Sequence, residues 1–315
     1  MSLAQPFAQA LAARVAERES QIVLGLDPEP GALWPGAELA GSADGAPADR
    51  AAAAVLHHCR EVIDATAEAC VAVKLQLARF ELLGAPGWAA LEQVAAHARL
   101  RGLMVIADGK RGDIDVSAQA YASALFGGCE TPFGRLPGLG AEMATVNPLM
   151  GVDAIAPFVA TARAAGAGVL VLVRTSNPGA ADVEDLAVAG GGAVWERIAE
   201  IVARLGEDTP GEPGLGDVGA VVGATEPAHL ARARELMPRS VFLLPGVGAQ
   251  GGRVEDLAPA FAPGRAAGLI TASRSIVNAH RAPENSAGDV GAAAAARAEA
   301  EYLREQAWAL SVPPA

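Results

Sequence analysis

The sequence is poor in aromatic residues, cysteine, histidine and positive charge, and each shortage narrows the possibilities. Aromatic side chains make up 4% of 315 residues, so the core must be built from aliphatic groups. The three cysteines, Cys59, Cys70 and Cys129, are an odd and widely spaced set. They offer neither metal-ligand spacing nor a disulfide framework; they fit a reducing cytosol, with each thiol filling a small buried site. The five histidines, His57, His58, His97, His229 and His280, all fall in or near helical segments. None forms an H-x-H or H-x-x-x-H pair, so no zinc site or other metal is expected. Formal net charge is −12. General nucleic-acid or anionic-membrane binding needs clustered Lys and Arg and is not expected. A small anionic ligand held by a few local cations stays compatible with that charge. No uncharged apolar stretch approaches the ~20 residues needed to span a bilayer. The N-terminal "MSLAQPFAQALAARVAERES" has apolar residues at helical spacing and charges in its second half. It lacks the basic start and unbroken apolar run of a signal peptide, so a cytoplasmic protein is expected.

What the chain does have is Ala and Val in quantity, with 51% apolar residues overall. Its length suits one large α/β barrel, although two smaller domains also fit. Short β-branched apolar runs recur: "IVLGLD" (22–27), "VAVKLQ" (71–76), "LMVIADGK" (103–110) and "MATVNPL" (143–149). Four more follow: "GVLVLVRT" (168–175), "VGAVVGA" (218–224), "VFLLPGV" (241–247) and "AGLITAS" (267–273). Nearly continuous apolar runs of this length suit parallel strands covered on both faces. Ala-rich segments with helical periodicity, such as "GWAALEQVAAHARLRG", lie between most of them. Eight strands alternating with helices predict a (β/α)8 TIM barrel as a single domain over 1–315, with a doubly wound open sheet as the alternative. Gly/Pro-rich stretches at 36–49, 126–140 and 206–217 read as loop insertions on that domain. A long Ala-rich helix is expected from about Ala287 to Leu310.

Polar residues stand where the apolar runs end. In order they are Asp27; Lys74 with Gln76; Asp108 and Lys110; Asn147; Thr175, Ser176 and Asn177; then Gln250 and Arg274. In a barrel those ends form one mouth, where active sites are built. A lysine among Val and Leu, as in "VAVKLQ", needs a partner for its charge. Asp27, Asp108 and Asp113 can supply it. The densest cluster is "ADGKRGDID". Asp108 and Lys110 are two apart and so share a strand face, with Asp113 in the following turn. A carboxylate–ammonium–carboxylate array keeps Lys110 protonated, and can stabilise a carbanion and deliver a proton to it. The competing reading is a plain ion-pair network at the barrel rim.

D-x-K-x-x-D-I at the end of the third strand resembles the signature of orotidine 5′-phosphate decarboxylases. "DGKRGDI", with "LGLDP", "VNPLMG", "SNPGA" and "PGVGAQGG", is similar to the bacterial branch called type 2. These pieces follow family order from residue 22 to residue 276, although a wider barrel superfamily shares D-x-K-x-x-D. The resemblance implies a cofactor-free decarboxylase of orotidine 5′-phosphate, the last step of UMP biosynthesis, working as a homodimer. It assigns Lys110 as the donor of a proton to C6 of the pyrimidine. It sets Asp108 against the substrate carboxylate and Lys74 at the ribose hydroxyls within the charged array. Asp113 resembles the aspartate that the family hands across the dimer interface. Asp27 matches a ribose-binding aspartate, Ser176 the hydroxyl that reads the pyrimidine edge, and Gln250 and Arg274 the phosphate holders. Ser117 stands where the family usually has threonine and keeps the hydroxyl. Gly109 replaces the usual alanine, loosening the backbone beside Lys110, and Leu149–Met150 replace a frequent Tyr-Leu pair.

Other signals are weaker. "GVGAQG" (246–251) matches the dinucleotide pattern G-x-G-x-x-G but occurs late in the chain. No ribose-binding acid follows it, so a flexible loop closing over a phosphate is the better reading. "TASRSIV" (271–277) joins a strand to a helix start, a place that suits an anion. Arg111 and Asp115 read as solvated or interface residues, and Trp34 and Trp88 have no legible role. No motif for an electron-sink cofactor is present, so electrostatics would have to carry the chemistry. Two alternatives stay open: a magnesium-dependent sugar-phosphate decarboxylase or aldolase of the same superfamily, and a non-catalytic nucleotide-binding barrel.

Overall fold

The computed structural model describes residues 6–41, 44–207, 209, 214–248, 251–282 and 291–311. All eight apolar runs form strands. They are β1 (Ile22–Leu26), β2 (Ala72–Gln76), β3 (Met104–Arg111), β6 (Met143–Val146), β7 (Gly168–Arg174), β8 (Val218–Val222), β9 (Phe242–Pro245) and β10 (Gly268–Ala272). A short antiparallel hairpin, β4 (Cys129–Thr131) and β5 (Gly134–Leu136), stands apart from them inside the stretch expected to be a loop. The eight long strands pair in parallel and close in the order β1-β10-β9-β8-β7-β6-β3-β2. This is a (β/α)8 barrel, and the open-sheet alternative falls.

Helices return the chain between strands. α1 (Phe7–Arg18) precedes the barrel, and α2 (Pro47–Thr66), α3 (Leu77–Glu81), α4 (Ala85–Leu100), α5 (Asp115–Leu125) and α6 (Val152–Ala165) follow in turn. Then come α7 (Val194–Glu207), α8 (Pro227–Leu236), the one-turn α9 (Arg274–Val277) and α10 (Ala292–Leu310). Their limits have local causes. Proline occupies the first turn of α2, α4 and α8, where its missing N–H has no helical partner to lose. Gly166 ends α6 in the left-handed region. α7 buries Trp195, Ala199, Val202 and Gly206, a stripe at helical spacing. Between β9 and β10 the chain makes a 3-10 segment, Val254–Phe261, in place of an α-helix. Pro259 lies within it and cannot donate the i→i−4 bond. Residues 287–290 of the expected C-terminal helix lie outside the described residues, as do parts of the 36–49 and 206–217 insertions.

The strand period of two sorts the barrel interior into layers. Ala72, Met104, Ile106, Met143, Leu170, Val221, Leu243 and Leu269 form an apolar layer inside the barrel. One step further along the same inward rows, the side chains become Lys74, Asp108, Thr145 and Thr271. The change from apolar to polar happens within two residues on β2, β3, β6 and β10. Below the apolar layer, α1 plugs the N-terminal end with Phe7, Leu11 and Val15, which join the same cluster. Burying such side chains contributes ~1.5–3 kcal/mol each. Gly168 makes room for the plug, since a Cβ there would meet the Phe7 ring at 2.7 Å. Apolar material thus closes one end of the barrel and leaves the other to polar groups.

Candidate active site

Asp108 is the centre of the polar layer. Lys74 Nζ lies 2.6 Å from its Oδ2 and Lys110 Nζ 2.6 Å from its Oδ1. Thr145 Oγ1 donates to Oδ1 at 2.9 Å, and Gln76 Nε2 donates to Oδ2 at 3.3 Å. Asp27 Oδ1 stands 3.6 Å from Lys74 Nζ. Burial alone would raise the Asp108 carboxyl, but Lys74 and Lys110 outweigh it and hold the pKa down at about 2. Burial likewise works against the Lys74 ammonium, but Asp108 and Asp27 outweigh it and keep its pKa above the ordinary lysine value. Asp108 and Lys74 are therefore both charged at neutral pH.

Lys110 reaches Asp108 by a route that strand alternation alone does not provide. Its φ is +47°, in the left-handed region, and the β3–β6 register shifts between Ala107 and Arg111. The Lys110 N–H turns to Thr145 Oγ1 at 2.9 Å instead of continuing the ladder. A lysine held in this conformation is strained, and such strain concentrates where geometry is functional. A Cβ at Gly109 would stand 2.7 Å from Leu77 Cδ1, the movable end of a side chain on α3. Arg111 is partly exposed; it pairs with Glu81, and its guanidinium carbon lies 5.5 Å from the Tyr121 ring centre.

The cavity above the array has a volume of about 520 Å³. Among the predicted residues it gathers Asp27, Lys74, Gln76, Asp108, Lys110, Thr175, Ser176, Asn177 and Arg274. Asp113 and Ser117 do not line it; Asp113 caps the N–H of Ile114 at 2.8 Å and Ser117 is exposed on α5. Gln250 lies outside the described residues. Asn147 turns back on its own loop, accepting from Leu149 N at 2.9 Å. Sequence reading missed Thr145, Glu184, Thr271 and Ser273. The threonines were within reach, as inward polar residues on buried strands. Glu184 was not, because it enters from the loop after β7. There it accepts from the Thr175 N–H at 2.8 Å while Arg174 makes a bidentate pair with Asp185 at 2.8 and 2.9 Å. These contacts hold the turn that presents Ser176 and Asn177.

At the far end of the cavity, Ser273 Oγ donates to Gly25 O at 2.9 Å and also contacts Asp27. Gly25 has no Cβ for a reason, since one would stand 2.7 Å from Ser273 Cβ. Arg274 follows, exposed and without a carboxylate partner among the described residues. α9 is a single turn, so attraction for an anion rests on this guanidinium more than on a helix dipole. The glycines at 246, 248 and 251 after β9 all have positive φ, a conformation glycine adopts at no steric cost, and Gly248 lies beside Ser275 of α9.

Composition holds one more clue. Of 24 Lys and Arg residues, two are lysine, and both touch Asp108. Arginine cannot release its proton near neutral pH, whereas lysine can. Every other basic side chain is arginine, so the chain's two lysines meet at one carboxylate.

Comparison with known proteins decides among the readings of such a site. The sequence profile described as "Orotidine 5'-phosphate decarboxylase / HUMPS family" matches residues 20–290. The chain belongs to this family. A Deinococcus radiodurans orotidine 5′-phosphate decarboxylase is 42% identical over 305 residues, 95% of this chain and 96% of that protein. A Rhodopirellula baltica protein of the same name is 44% identical over 236 residues, 75% of this chain and 77% of the other. Among solved structures, Leishmania donovani OMP decarboxylase superposes with a TM-score of 0.70 at 30% identity, covering 98% of this chain and 99% of its own. The family signature D-x-K-x-x-D is the segment that here carries Asp108 and Lys110.

Proposed function

We propose that the protein, as one barrel domain, removes CO2 from orotidine 5′-phosphate to give UMP, with Lys110 as the proton donor. Family membership and the relatives named for this activity support the reaction. The observation that carries the residue roles is one buried carboxylate, Asp108, held between the chain's two ammonium groups at the floor of a cavity. In this reading the substrate lies across the mouth. Its phosphate meets Arg274 and Gln250, its ribose meets Asp27 and Lys74, and its pyrimidine edge meets Ser176; Ser117 keeps a hydroxyl for a further contact.

Breaking the C6–carboxylate bond leaves its electron pair on C6, with no neighbouring carbonyl to absorb it. Lys110 neutralises that charge as it develops and then gives C6 a proton, and the amine is reprotonated from solvent. Asp108, ionised because two lysines hold it so, faces the departing carboxylate. Two like charges ~4 Å apart at an effective dielectric of ~20 repel by about 4 kcal/mol. That helps, but grip on the distant phosphate must supply orientation as well. A magnesium-dependent reaction would need carboxylate oxygens free for the metal, whereas both oxygens of Asp108 are taken by ammonium groups.

The same reading makes the protein a cytoplasmic enzyme of pyrimidine biosynthesis and a homodimer. Asp113 stands outside its own chain's cavity, beside exposed Ile114, Val116, Leu149 and Met150. A two-fold pair joined through that apolar patch would hand Asp113 into the neighbour's site. The test of the function is the loss of orotidine 5′-phosphate absorbance with purified protein, with and without a chelator. Equal turnover in both supports the reading. Tight nucleotide binding without turnover, or turnover abolished by the chelator, would overturn it.

A further inference from the structure

Trp34 lies in the long loop after β1, well before the Ala-rich helix, and is 3% exposed. Both of its N–H groups are spoken for. The backbone N–H donates to His58 Nδ1 on α2 at 3.1 Å. The indole Nε1–H crosses to the other side of the loop and donates to the Val277 carbonyl at 2.8 Å. The His58 and His280 rings stand edge-on to the indole at 5.6 and 6.4 Å and fix its plane. Val277 is the last residue of α9, and Arg274 is the first. Val277 N bonds to Ser273 O at 2.9 Å and Asn278 N to Arg274 O at 3.0 Å, so the turn moves as a unit. Its front is tied to β1 through Ser273 and Gly25, and its back is tied to the loop after β1 through Trp34.

We propose that Trp34 is a positioning residue for phosphate recognition: its indole N–H anchors the far end of α9 and so holds Arg274 where the substrate phosphate arrives. The inference rests on the reading of Arg274 as the phosphate-binding cation. Arg274 is exposed and has no carboxylate to steady it among the described residues, so its aim depends on the backbone that carries it. His58 completes the brace. A backbone N–H can only donate, so His58 Nδ1 is the acceptor and the proton sits on Nε2. Burial, then the neighbouring His280, His57 and Arg281, lower its pKa to about 4, which keeps that acceptor available at neutral pH.

The experiment compares orotidine 5′-phosphate with orotidine, which lacks the phosphate, in wild type and four variants. Trp34→Phe keeps the ring and removes the indole N–H. It should lower kcat/KM for the nucleotide about five- to tenfold, the worth of one hydrogen bond, mainly through KM. It should leave kcat/KM for orotidine within about twofold. His58→Leu should act in the same direction. His58→Asn, whose amide oxygen can stand in for Nδ1, should restore the nucleotide preference. Arg274→Ala is the reference, with loss confined to the nucleotide. If Arg274→Ala is selective for the nucleotide but Trp34→Phe harms both substrates equally, or neither, the inference is wrong and the phosphate site stands. If Arg274→Ala itself harms both equally, the phosphate site is wrong and the inference goes with it. Should Trp34→Phe fold poorly, the His58 pair decides: equal behaviour of Leu and Asn on the nucleotide would count against the brace.

Discussion

Lys74 on β2 and Arg234 on α8 are both cations taken out of water, 7% and 8% exposed. Lys74 faces two carboxylates, Asp108 at 2.6 Å and Asp27 at 3.6 Å, and its pKa is raised. Arg234 faces no carboxylate among the described residues. Its NH1 donates to the carbonyls of Met237 and Ser240, its NH2 to those of Ala260 and Ala267, and its plane lies 3.7 Å from the centre of the Phe242 ring. Burial lowers its pKa to about 9. The difference shows two uses of buried charge. Arg234 rivets the irregular 3-10 crossover between β9 and β10 to the barrel, a task for a rigid fork of donors. Lys74 belongs to an array of two carboxylates and two lysines that faces a cavity. Removing the first should cost stability, and removing the second should cost chemistry.

That contrast can be broken in one pair of variants. Lys74→Ala should lower kcat/KM for orotidine 5′-phosphate by about a thousandfold or more, the scale of losing a preorganised charge at the reacting centre. Arg234→Met should leave kcat/KM within about threefold but destabilise by on the order of 3–5 kcal/mol, because four carbonyls lose their donor. Steady-state kinetics with a thermal melt on each variant checks both. A stable, inactive Arg234→Met or an unstable, active Lys74→Ala would erase the distinction.

Arg274 sharpens the comparison, since among the described residues neither a carboxylate nor a carbonyl occupies it. Arg274→Ala should cost roughly 10- to 100-fold in kcat/KM for the nucleotide, the worth of charge-assisted hydrogen bonds, chiefly through KM. Orotidine turnover should be no worse than wild type. Asp113 extends the comparison across the proposed interface. Mixing inactive Lys110→Ala with inactive Asp113→Ala should regain up to about a quarter of wild-type sites, since half the random pairs carry one intact site. No recovery after verified subunit exchange would argue that the carboxylate is not shared.

A last effect, on stability alone, concerns His58, the buried base that is kept neutral. Its folded pKa of about 4 is below the ordinary 6.5. As pH falls from 6.5 toward 4, the unfolded chain takes up a proton that the folded chain does not, so stability declines through that window, by up to about 3 kcal/mol. Chemical denaturation at pH 7 and pH 5 measures the slope. It should flatten in His58→Asn, and an unchanged slope would assign the loss to other groups.

The strands were legible because each was a short apolar run bounded by turn residues, and burial on both faces leaves little else for such a run to do. Lys74 and Asp108 were legible for the opposite reason: a charge in a buried strand must have a partner. Lys110 was placed correctly beside Asp108, but by a wrong path, since its left-handed backbone and the register shift replace simple alternation. Glu184, Ser273 and the Trp34–Val277 bond depend on loops from distant parts of the chain meeting at the barrel rim. No local pattern encodes such a meeting. The β4–β5 hairpin was hidden because its strands are three residues each and mostly exposed, so no apolar run announces them.

The most direct test of the account is turnover of orotidine 5′-phosphate by Lys110→Ala beside wild type, with a thermal melt of each. Lys110 is half-exposed at the mouth and Lys74 remains to hold Asp108, so the fold should survive with a melting temperature near that of wild type. The account predicts no decarboxylation above the uncatalysed background in that folded variant. Activity within about tenfold of wild type, little more than one good hydrogen bond's worth, would contradict it and remove Lys110 from the chemistry.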